Sequence, residues 1–211
     1  MLRKKVVSLT VTTAIGGIHS INSAFNTLPE GEDAPDTTMP YSLSDAFSRC
    51  VVLDEQAKKT LLRKIPHGLY ICGVKDGEEM NGFTASWVMQ ASFSPPLVVN
   101  CVKQDSTSHA MIKASGTFAL SFLEAGQKDV AQNFFKPLHR VGNKFADVEF
   151  YPAPETGCPV IKDSLGYVEC RLVGTVEHGD HTVFVGEVVG AGLHRQGEPL
   201  LLESTGWNYG G

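Results

Sequence analysis

The tightest constraint on this chain is a pair of runs, YVECRLVGTV (Tyr167–Val176) and TVFVGEVVGAGL (Thr182–Leu193), with only EHGDH between them. Both are rich in β-branched residues and have the length of strands. A connection this short, carrying Gly179-Asp180, reverses the chain but cannot hold the crossover that parallel neighbours need. The two runs are therefore predicted as an antiparallel hairpin. The same logic extends upstream. Leu69–Val74 (LYICGV) runs into the turn Lys75-Asp76-Gly77-Glu78, and Leu97–Val102 (LVVNCV) lies between Pro95-Pro96 and a polar turn. Thr117–Leu123 (TFALSFL) is a further strand. Tight turns rather than repeated helical crossovers predict a mainly β fold, an antiparallel barrel with a few helices.

The predicted helices are short. Asp54–Lys64 (DEQAKKTLLRK) opens with acids and closes with bases, which suits the helix dipole, and Pro66 follows. Ser108–Ala114 follows the polar Asp105-Ser106-Thr107, and Gln127–Phe135 is stopped by Pro137. Ser42 or Ser44 is placed to cap one more.

Composition removes several classes of function. With 42% hydrophobic and 19% charged residues, the chain is too apolar to be disordered. Its longest nearly apolar stretch, Val6–Ile18, contains Ser8, Thr10, Thr12 and Thr13 and is too short and too polar to span a bilayer. Residues 1–29 hold Arg3, Lys4 and Lys5 and no acid, which leaves 15 basic against 23 acidic side chains in the rest. So acidic a body argues against nucleic acid as a partner, while leaving room for a small positive pocket.

Five cysteines, Cys50, Cys72, Cys101, Cys158 and Cys170, form no Cys-x-x-Cys pair. Neither a zinc knuckle nor a disulfide framework is expected, and Cys101 and Cys170 read as buried small hydrophobes in a reducing compartment. His178 and His181 have a His-x-x-His spacing, but they flank a turn and no third ligand is spaced to join them, so no metal is expected.

Residues 1–40 read as a targeting leader and linker, and residues 41–211 as one domain. Basic residues precede a short apolar stretch, the order of a secretory signal. Ser23-Ala24-Phe25 resembles the Ala-Ser-Ala-Phe motif of bipartite leaders in algae with secondary plastids, which implies a plastid destination; otherwise the segment is the poorly ordered or strand-forming N-terminus of a cytoplasmic protein. From Gly31 the run GEDAPDTTMPYSL has the composition of a linker.

Common enzyme fingerprints are missing. The chain has no Gly-x-Gly-x-x-Gly opening a helix after a strand, no P-loop, no His-Glu-x-x-His and no Gly-x-Ser-x-Gly. Four other segments occur in order: Asn81-Gly82-Phe83-Thr84-Ala85-Ser86-Trp87 through Gln90-Ala91-Ser92-Phe93-Ser94-Pro95-Pro96; Val99-Asn100-Cys101-Val102-Lys103 with Ser106-Thr107-Ser108-His109; Asn133-Phe134-Phe135-Lys136 with Gly142-Asn143-Lys144-Phe145-Ala146-Asp147-Val148; and Gly179-Asp180-His181 through Val188. Together they resemble the flavin reductase-like family of FMN-binding split barrels over about residues 62–205. The resemblance is particularly close to the flavin reductase module at the C-terminal end of cyanobacterial flavodiiron proteins.

That resemblance implies a homodimeric antiparallel split β-barrel with flavin sites at the dimer interface. It implies FMN as cofactor, with FAD as the other flavin, and NAD(P)H as co-substrate. Carried over residue by residue, it implies flavin contacts from Asn81, Thr84, Ala85, Ser86, Asn100, Cys101, Lys103, Ser106, Thr107 and Ser108, and a nicotinamide contact from His181. The residue chemistry agrees. A flat ring with a polar edge needs small residues with donors, as in Thr84-Ala85-Ser86, although a sterically packed turn would look the same. A phosphate needs hydroxyls and free backbone N–H groups, as Ser106-Thr107-Ser108 at a helix start offers, although any helix cap would too. Lys103 adds charge; Lys136 and Lys144 are further candidates, but lone lysines are usually just solvated. Phe134 and Phe135 read as core or dimer contacts.

The expected activity is hydride transfer from NAD(P)H to bound flavin, which needs positioning rather than acid–base residues, so no catalytic residue is expected. The alternative is a flavin-binding electron-transfer or redox-sensing protein reduced by a partner protein. A third reading is a non-catalytic split barrel that binds haem or nothing.

Overall fold

The computed structural model describes residues 10–13, 17–20, 53–136 and 140–210. The Ser42/Ser44 helix, Cys50, Pro137 and nearly all of the leader and linker lie outside them. The chain divides into two units, Met1–Val52 and Leu53–Gly211. In the first, β1 (Thr10–Thr13) pairs antiparallel with β2 (Gly17–Ser20).

The second unit opens with α1 (Glu55–Leu62), whose N-cap Asp54 accepts from the Ala57 N–H. Strands β3 (Tyr70–Asp76), β4 (Glu79–Ala85), β5 (Val88–Phe93) and β6 (Pro96–Lys103) follow. Then come α2 (Thr107–Ser115), β7 (Thr117–Phe122) and α3 (Lys128–Asn133). The last elements are β8 (Arg140–Val141), β9 (Lys144–Phe145), β10 (Val148–Pro152), β11 (Pro159–Ile161), β12 (Gly166–Val176), β13 (His181–Leu193) and α4 (Leu202–Thr205).

One seven-stranded sheet, ordered β4-β3-β7-β12-β13-β6-β5 and antiparallel throughout, carries the fold. Its outermost strands, β4 and β5, are consecutive in the chain and joined only by Ser86-Trp87. Laid flat, seven strands would hold their edges roughly 29 Å apart. Two linking residues span at most about 11 Å. The sheet must therefore curl until its edges meet at this junction. The edges do not hydrogen-bond to each other, so the antiparallel barrel expected from the sequence is open along the β4/β5 seam.

The turn at Gly179-Asp180 and the strands on either side stand as predicted. Between β5 and β6 the chain turns through Ser94-Pro95, whose peptide bond is cis. The helix expected over Gln127–Phe135 ends sooner, at Asn133, and Phe134 and Phe135 turn back toward β4. The small sheet β11-β10-β9-β8 was not foreseen, because its strands are only two to five residues long.

Two strands are buried on both faces, which explains their almost unbroken apolar sequence. From β3, Cys72 and Val74 enter a core with Phe118, Leu120, Cys170, Phe184 and Ile112 of α2. Ile71, on the other face, joins Leu123, Ala131, Phe134, Phe145, Phe150 and Ile161. Each fully buried side chain of this size contributes about 1.5–3 kcal/mol. The small sheet presses against β3 so closely that a Cβ on Gly73 would lie 1.9 Å from the Pro159 carbonyl oxygen. Gly73→Ala is expected to cost about 3 kcal/mol in denaturant unfolding, because a backbone atom has to move.

α2 is tied to the sheet through a buried polar pair: His109 Nε2 and Thr182 Oγ1 of β13 are hydrogen-bonded at 2.8 Å. Burial, helped by the charge on Lys113, pushes the His109 pKa below its ordinary 6.5. His67 is lowered too, chiefly by burial. Well above pH 6.5 both residues are neutral in the folded and unfolded chain. As the pH falls below that value the unfolded chain protonates first, and stability declines toward the lower folded-state pKa. The denaturation midpoint is expected to drop between about pH 7.5 and 5.5, and His109→Gln to flatten part of that slope.

Candidate functional site

At the seam where the sheet edges part lies a cavity of about 480 Å³. Its size falls within the usual range for small-molecule sites. Thr84, Ala85, Ser86 and Trp87 line it from the β4/β5 junction, and Cys101, Val102 and Lys103 from the end of β6. Ser106 and Ser108 come from the start of α2, Phe134 and Phe135 from the turn after α3, and Leu202, Trp207, Asn208 and Tyr209 from α4 and the segment after it.

Seven of the residues singled out in the sequence therefore converge on one wall: Thr84, Ala85, Ser86, Cys101, Lys103, Ser106 and Ser108. Asn81 stands behind it, donating from Nδ2 to Ser108 Oγ at 3.2 Å while its Oδ1 accepts from the Gly82 N–H at 2.8 Å. Thr107 is exposed on the first turn of α2 and is not part of the lining. Lys136 and Lys144 are exposed and not part of the lining; Lys144 faces Glu149 at 3.6 Å.

Asn100, read as a flavin contact, is not in the lining either. Asn100 is fully buried in the core, with Nδ2 donating to Cys72 Sγ at 3.4 Å. It alternates with Cys101 along β6, so when Cys101 faces the cavity Asn100 must face the interior. Cys101 is correspondingly only half-buried and not a core hydrophobe, whereas Cys170 is fully buried as expected. Burial raises both thiols, Cys170 to about 12, which keeps them protonated.

Several polar atoms in the wall already have partners. Thr84 Oγ1 donates to the Ala131 carbonyl at 2.6 Å, and the Thr84 N–H reaches the Phe134 carbonyl at 3.4 Å. Both hold α3 against β4, so Thr84 offers a ligand its methyl and its oxygen lone pairs rather than donors. Ser106 is the N-cap of α2: its hydroxyl accepts from the His109 N–H at 3.2 Å and donates to the Lys103 carbonyl at 2.8 Å. That fulfils the plain capping role and leaves the Thr107 and Ser108 N–H groups at the open, positive end of the helix. Lys103 pairs with Asp105 at 3.0 Å, and that carboxylate is the main reason its pKa is raised.

His181 opens β13 directly across from Lys103. Its Nδ1 bonds Asp180 Oδ1 at 2.8 Å and its Nε2 bonds the Tyr209 hydroxyl at 2.9 Å. The ring lies 4.7 Å from Trp87, which lies 5.3 Å from Tyr209. His181 is thus behind the aromatic rim rather than in the lining itself.

That rim is what the sequence reading missed. Trp87, Trp207 and Tyr209 received no role, although Trp87 follows Thr84-Ala85-Ser86 directly. Trp207 packs edge-on to Phe135 at 4.7 Å, with Lys128 Nζ 5.0 Å from its ring centre. The signal available was two aromatic residues in a short C-terminal stretch with no strand or helix pattern to explain them. Aromatic walls, small side chains and a helix start with open N–H groups suit a flat heteroaromatic ring bearing a phosphate.

The family model for the flavin reductase like domain matches residues 62–209. The chain belongs to this family. An NADH-dependent FAD reductase of Streptomyces globisporus is 39% identical over 127 residues, 60% of this chain and 69% of that protein. The solved NADH:FAD oxidoreductase of Streptomyces globisporus C-1027, in complex with NAD and FAD fragments, is similar with a TM-score of 0.60 and 35% identity. That match covers 67% of this chain and 83% of the other. Diflavin flavoprotein A 1 of a Synechocystis species is 33% identical over 137 residues, 64% of this chain but only 24% of that protein. This flavin reductase-like chain therefore spans about a quarter of the diflavin protein's length.

Among the described residues, Asn100 Oδ1 is the buried side-chain polar atom without a hydrogen-bond partner. Asn100→Leu removes that orphan at the expense of one weak bond to sulfur. It is expected to hold or raise the unfolding free energy and to leave the cavity intact. A loss of more than about 2 kcal/mol would mean that Oδ1 has a partner in solution.

Proposed function

We propose that this chain is an NAD(P)H-dependent flavin reductase that holds its flavin, FMN in the first instance and FAD otherwise, in the cavity at the β4/β5 seam. The observation that carries this reading is the convergence of Thr84-Ala85-Ser86, Lys103 and the start of α2 on one aromatic-rimmed cavity, in a chain of the flavin reductase like family. Relatives named for NADH-dependent reduction of FAD support it.

The bound flavin would supply the chemistry, taking a hydride from the nicotinamide and passing electrons on. The chain's own residues position and shield. Ala85 and Ser86 would let the ring edge approach the backbone where β4 ends, and Thr84 fixes α3 so that Phe134 forms part of the cavity wall. Lys103 and the open N–H groups of Thr107 and Ser108 receive the phosphate. His181, oriented by Asp180, meets the nicotinamide once its Nε2 is released by Tyr209. No side chain needs to shuttle a proton for this transfer, since alignment of the two rings supplies most of what is required.

We also propose a homodimer completing the flavin site. Exposed apolar side chains support it: Met89 and Phe93 on β5, Val173 and Val176 on β12, and Leu53, Leu61, Leu62 and Ile65 on and around α1. A plastid destination is our proposal from Ser23-Ala24-Phe25 alone.

The test is an absorption spectrum of purified protein, titration with FMN and FAD, and anaerobic addition of NADH and of NADPH. Flavin quenching with rapid bleaching by a nicotinamide is expected, and Ser86→Phe, which adds bulk to the wall, should weaken flavin binding by about 100-fold or more. Bleaching only when a donor protein is added would favour the electron-transfer reading. A protein that quenches neither flavin would end the flavin reading altogether.

A further inference from the structure

Tyr209 lines the seam cavity, and the groups that hold it there are ones a ligand can use. Its hydroxyl lies 2.9 Å from His181 Nε2. Its ring centre is 5.3 Å from that of Trp87 and 6.1 Å from that of His181, to which it stands at 80°. The Asp180 carboxylate, 2.8 Å from Nδ1, only accepts, so in the neutral imidazole the proton sits on Nδ1 and Nε2 keeps a lone pair. The Tyr209 hydroxyl donates to that lone pair. A carboxamide N–H satisfies it equally well. Nicotinamide is, like the tyrosine side chain, a planar six-membered ring with one polar group on it.

With Tyr209 in place, both ring nitrogens of His181 are taken and its side chain is only 12% exposed. No ligand reaches Nε2 until the tyrosine leaves. The segment is built so that it can. Trp207 is fixed: its N–H donates to Thr205 Oγ1 at 3.1 Å and its ring packs on Phe135. Beyond Trp207 the hold is slight. Among the described residues, Asn208, Tyr209 and Gly210 make no backbone–backbone hydrogen bond. Their further tie is the exposed Arg63, whose Nε donates to the Gly210 carbonyl at 3.1 Å. Gly210, at φ 93°, takes a conformation that costs glycine little. Tyr209 itself is 48% exposed, so its departure uncovers little more than the faces it turns to Trp87 and His181. One neutral hydrogen bond and one aromatic contact with Trp87 are individually modest.

We propose that Tyr209 is a placeholder for the nicotinamide: it fills the corner between Trp87 and His181 in the resting protein, and NAD(P)H binds by displacing it, the chain swinging out beyond Trp207. The identity of the incoming ring rests on the flavin reductase reading above; the displacement rests on the contacts of Tyr209. The tyrosine then competes with the nicotinamide, and the apparent affinity is lowered by the fraction of molecules in which it is in place. Its return after hydride transfer competes with the oxidised nicotinamide and favours release.

The test titrates the full chain, saturated with oxidised flavin, with NAD+ and with NADP+, so that binding is read without turnover. Tyr209→Phe removes the hydroxyl bond and Tyr209→Ala removes the ring as well. Nicotinamide affinity should rise roughly fivefold in Tyr209→Phe and further in Tyr209→Ala. The KM for the reduced nicotinamide should fall by more than kcat does. Fluorotyrosine incorporated throughout gives a direct readout. Of the five tyrosine signals, the one missing from Tyr209→Phe belongs to Tyr209, and nicotinamide should move it toward the position of a solvent-exposed tyrosine. Affinity that falls in the variants makes Tyr209 part of the binding wall, and affinity that stays put while the unfolding midpoint drops makes it a structural residue. Either result overturns the proposal, as does a Tyr209 signal that neither nicotinamide moves. Failure of wild type to bind FMN and FAD would instead overturn the flavin reading, and the Tyr209 signal under NAD+ and NADP+ would still judge the placeholder by itself.

Discussion

The site depends on the register between β6 and β13. Pairing runs from Leu97 opposite Glu187 to Lys103 opposite His181. It sets Asn100 and Phe184 side by side in the interior, and Cys101 beside Val183 on the opposite face. A slip of one residue would turn Asn100 and Lys103 to the wrong faces together, because side chains alternate strictly along a strand. The pattern itself guards against that slip. Phe184 and Thr182 are fully buried, and a Cβ on Gly186 would come within 2.8 Å of Phe118 and Cys170. Only a glycine fits at that position, so the one register that places it there also brings His181 to the cavity rim.

From that pairing the rest is assembled by burial. β3 and β7, buried on both faces, carry most of a second layer, with β4 at its margin. The small sheet and α3 settle on the face away from α2. Their weight falls on Phe134, which packs on Phe145 at 5.8 Å and would be struck at 2.9 Å by a Cβ on Gly82. The same turn receives the Thr84 hydroxyl and N–H. The core of the outer layer and the wall of the cavity are therefore one set of contacts, which is why a packing residue such as Phe134 lines both.

How much of this could be read from the sequence follows from range. Strands such as β7 and β12, and the capped helix α2, announce themselves by local composition and end signals, and they lie within a residue or so of where they were expected. Thr84-Ala85-Ser86 and Ser106–Ser108 were legible as donors of the right kind. Their committed partners were not, because the Ala131 carbonyl and the Lys103 carbonyl are backbone groups with no side-chain signature. Asn100 was misplaced because a motif match carries a residue across without its facing. Between the two readings of Cys101, buried hydrophobe and flavin contact, the strand pattern could not choose, since it does not say which face meets a cavity. Trp207 and Tyr209 act through distant contacts, with Phe135 and His181, and nothing local marks such contacts. The strands of the small sheet are too short to show a period at all.

An open seam in a sheet is ordinarily a liability, since it leaves backbone N–H and C=O groups without partners. Here the seam cannot close. β4 and β5 are linked by only Ser86-Trp87, and the link itself stands in the gap; the Trp87 carbonyl is already taken by the Cys101 N–H at 3.0 Å. Closing it would also require the Thr84 N–H, which is turned to α3. The backbone at this point is thus withdrawn from the sheet by its own covalent geometry, and Trp87, Phe134, Phe135, Trp207 and Tyr209 stand around the gap. A concave gap edged by small residues and aromatic rings is what a flat polar-edged ring needs. The position of the cavity follows from the strand order: where the two edge strands are neighbours in the chain, the curled sheet has nowhere else to part.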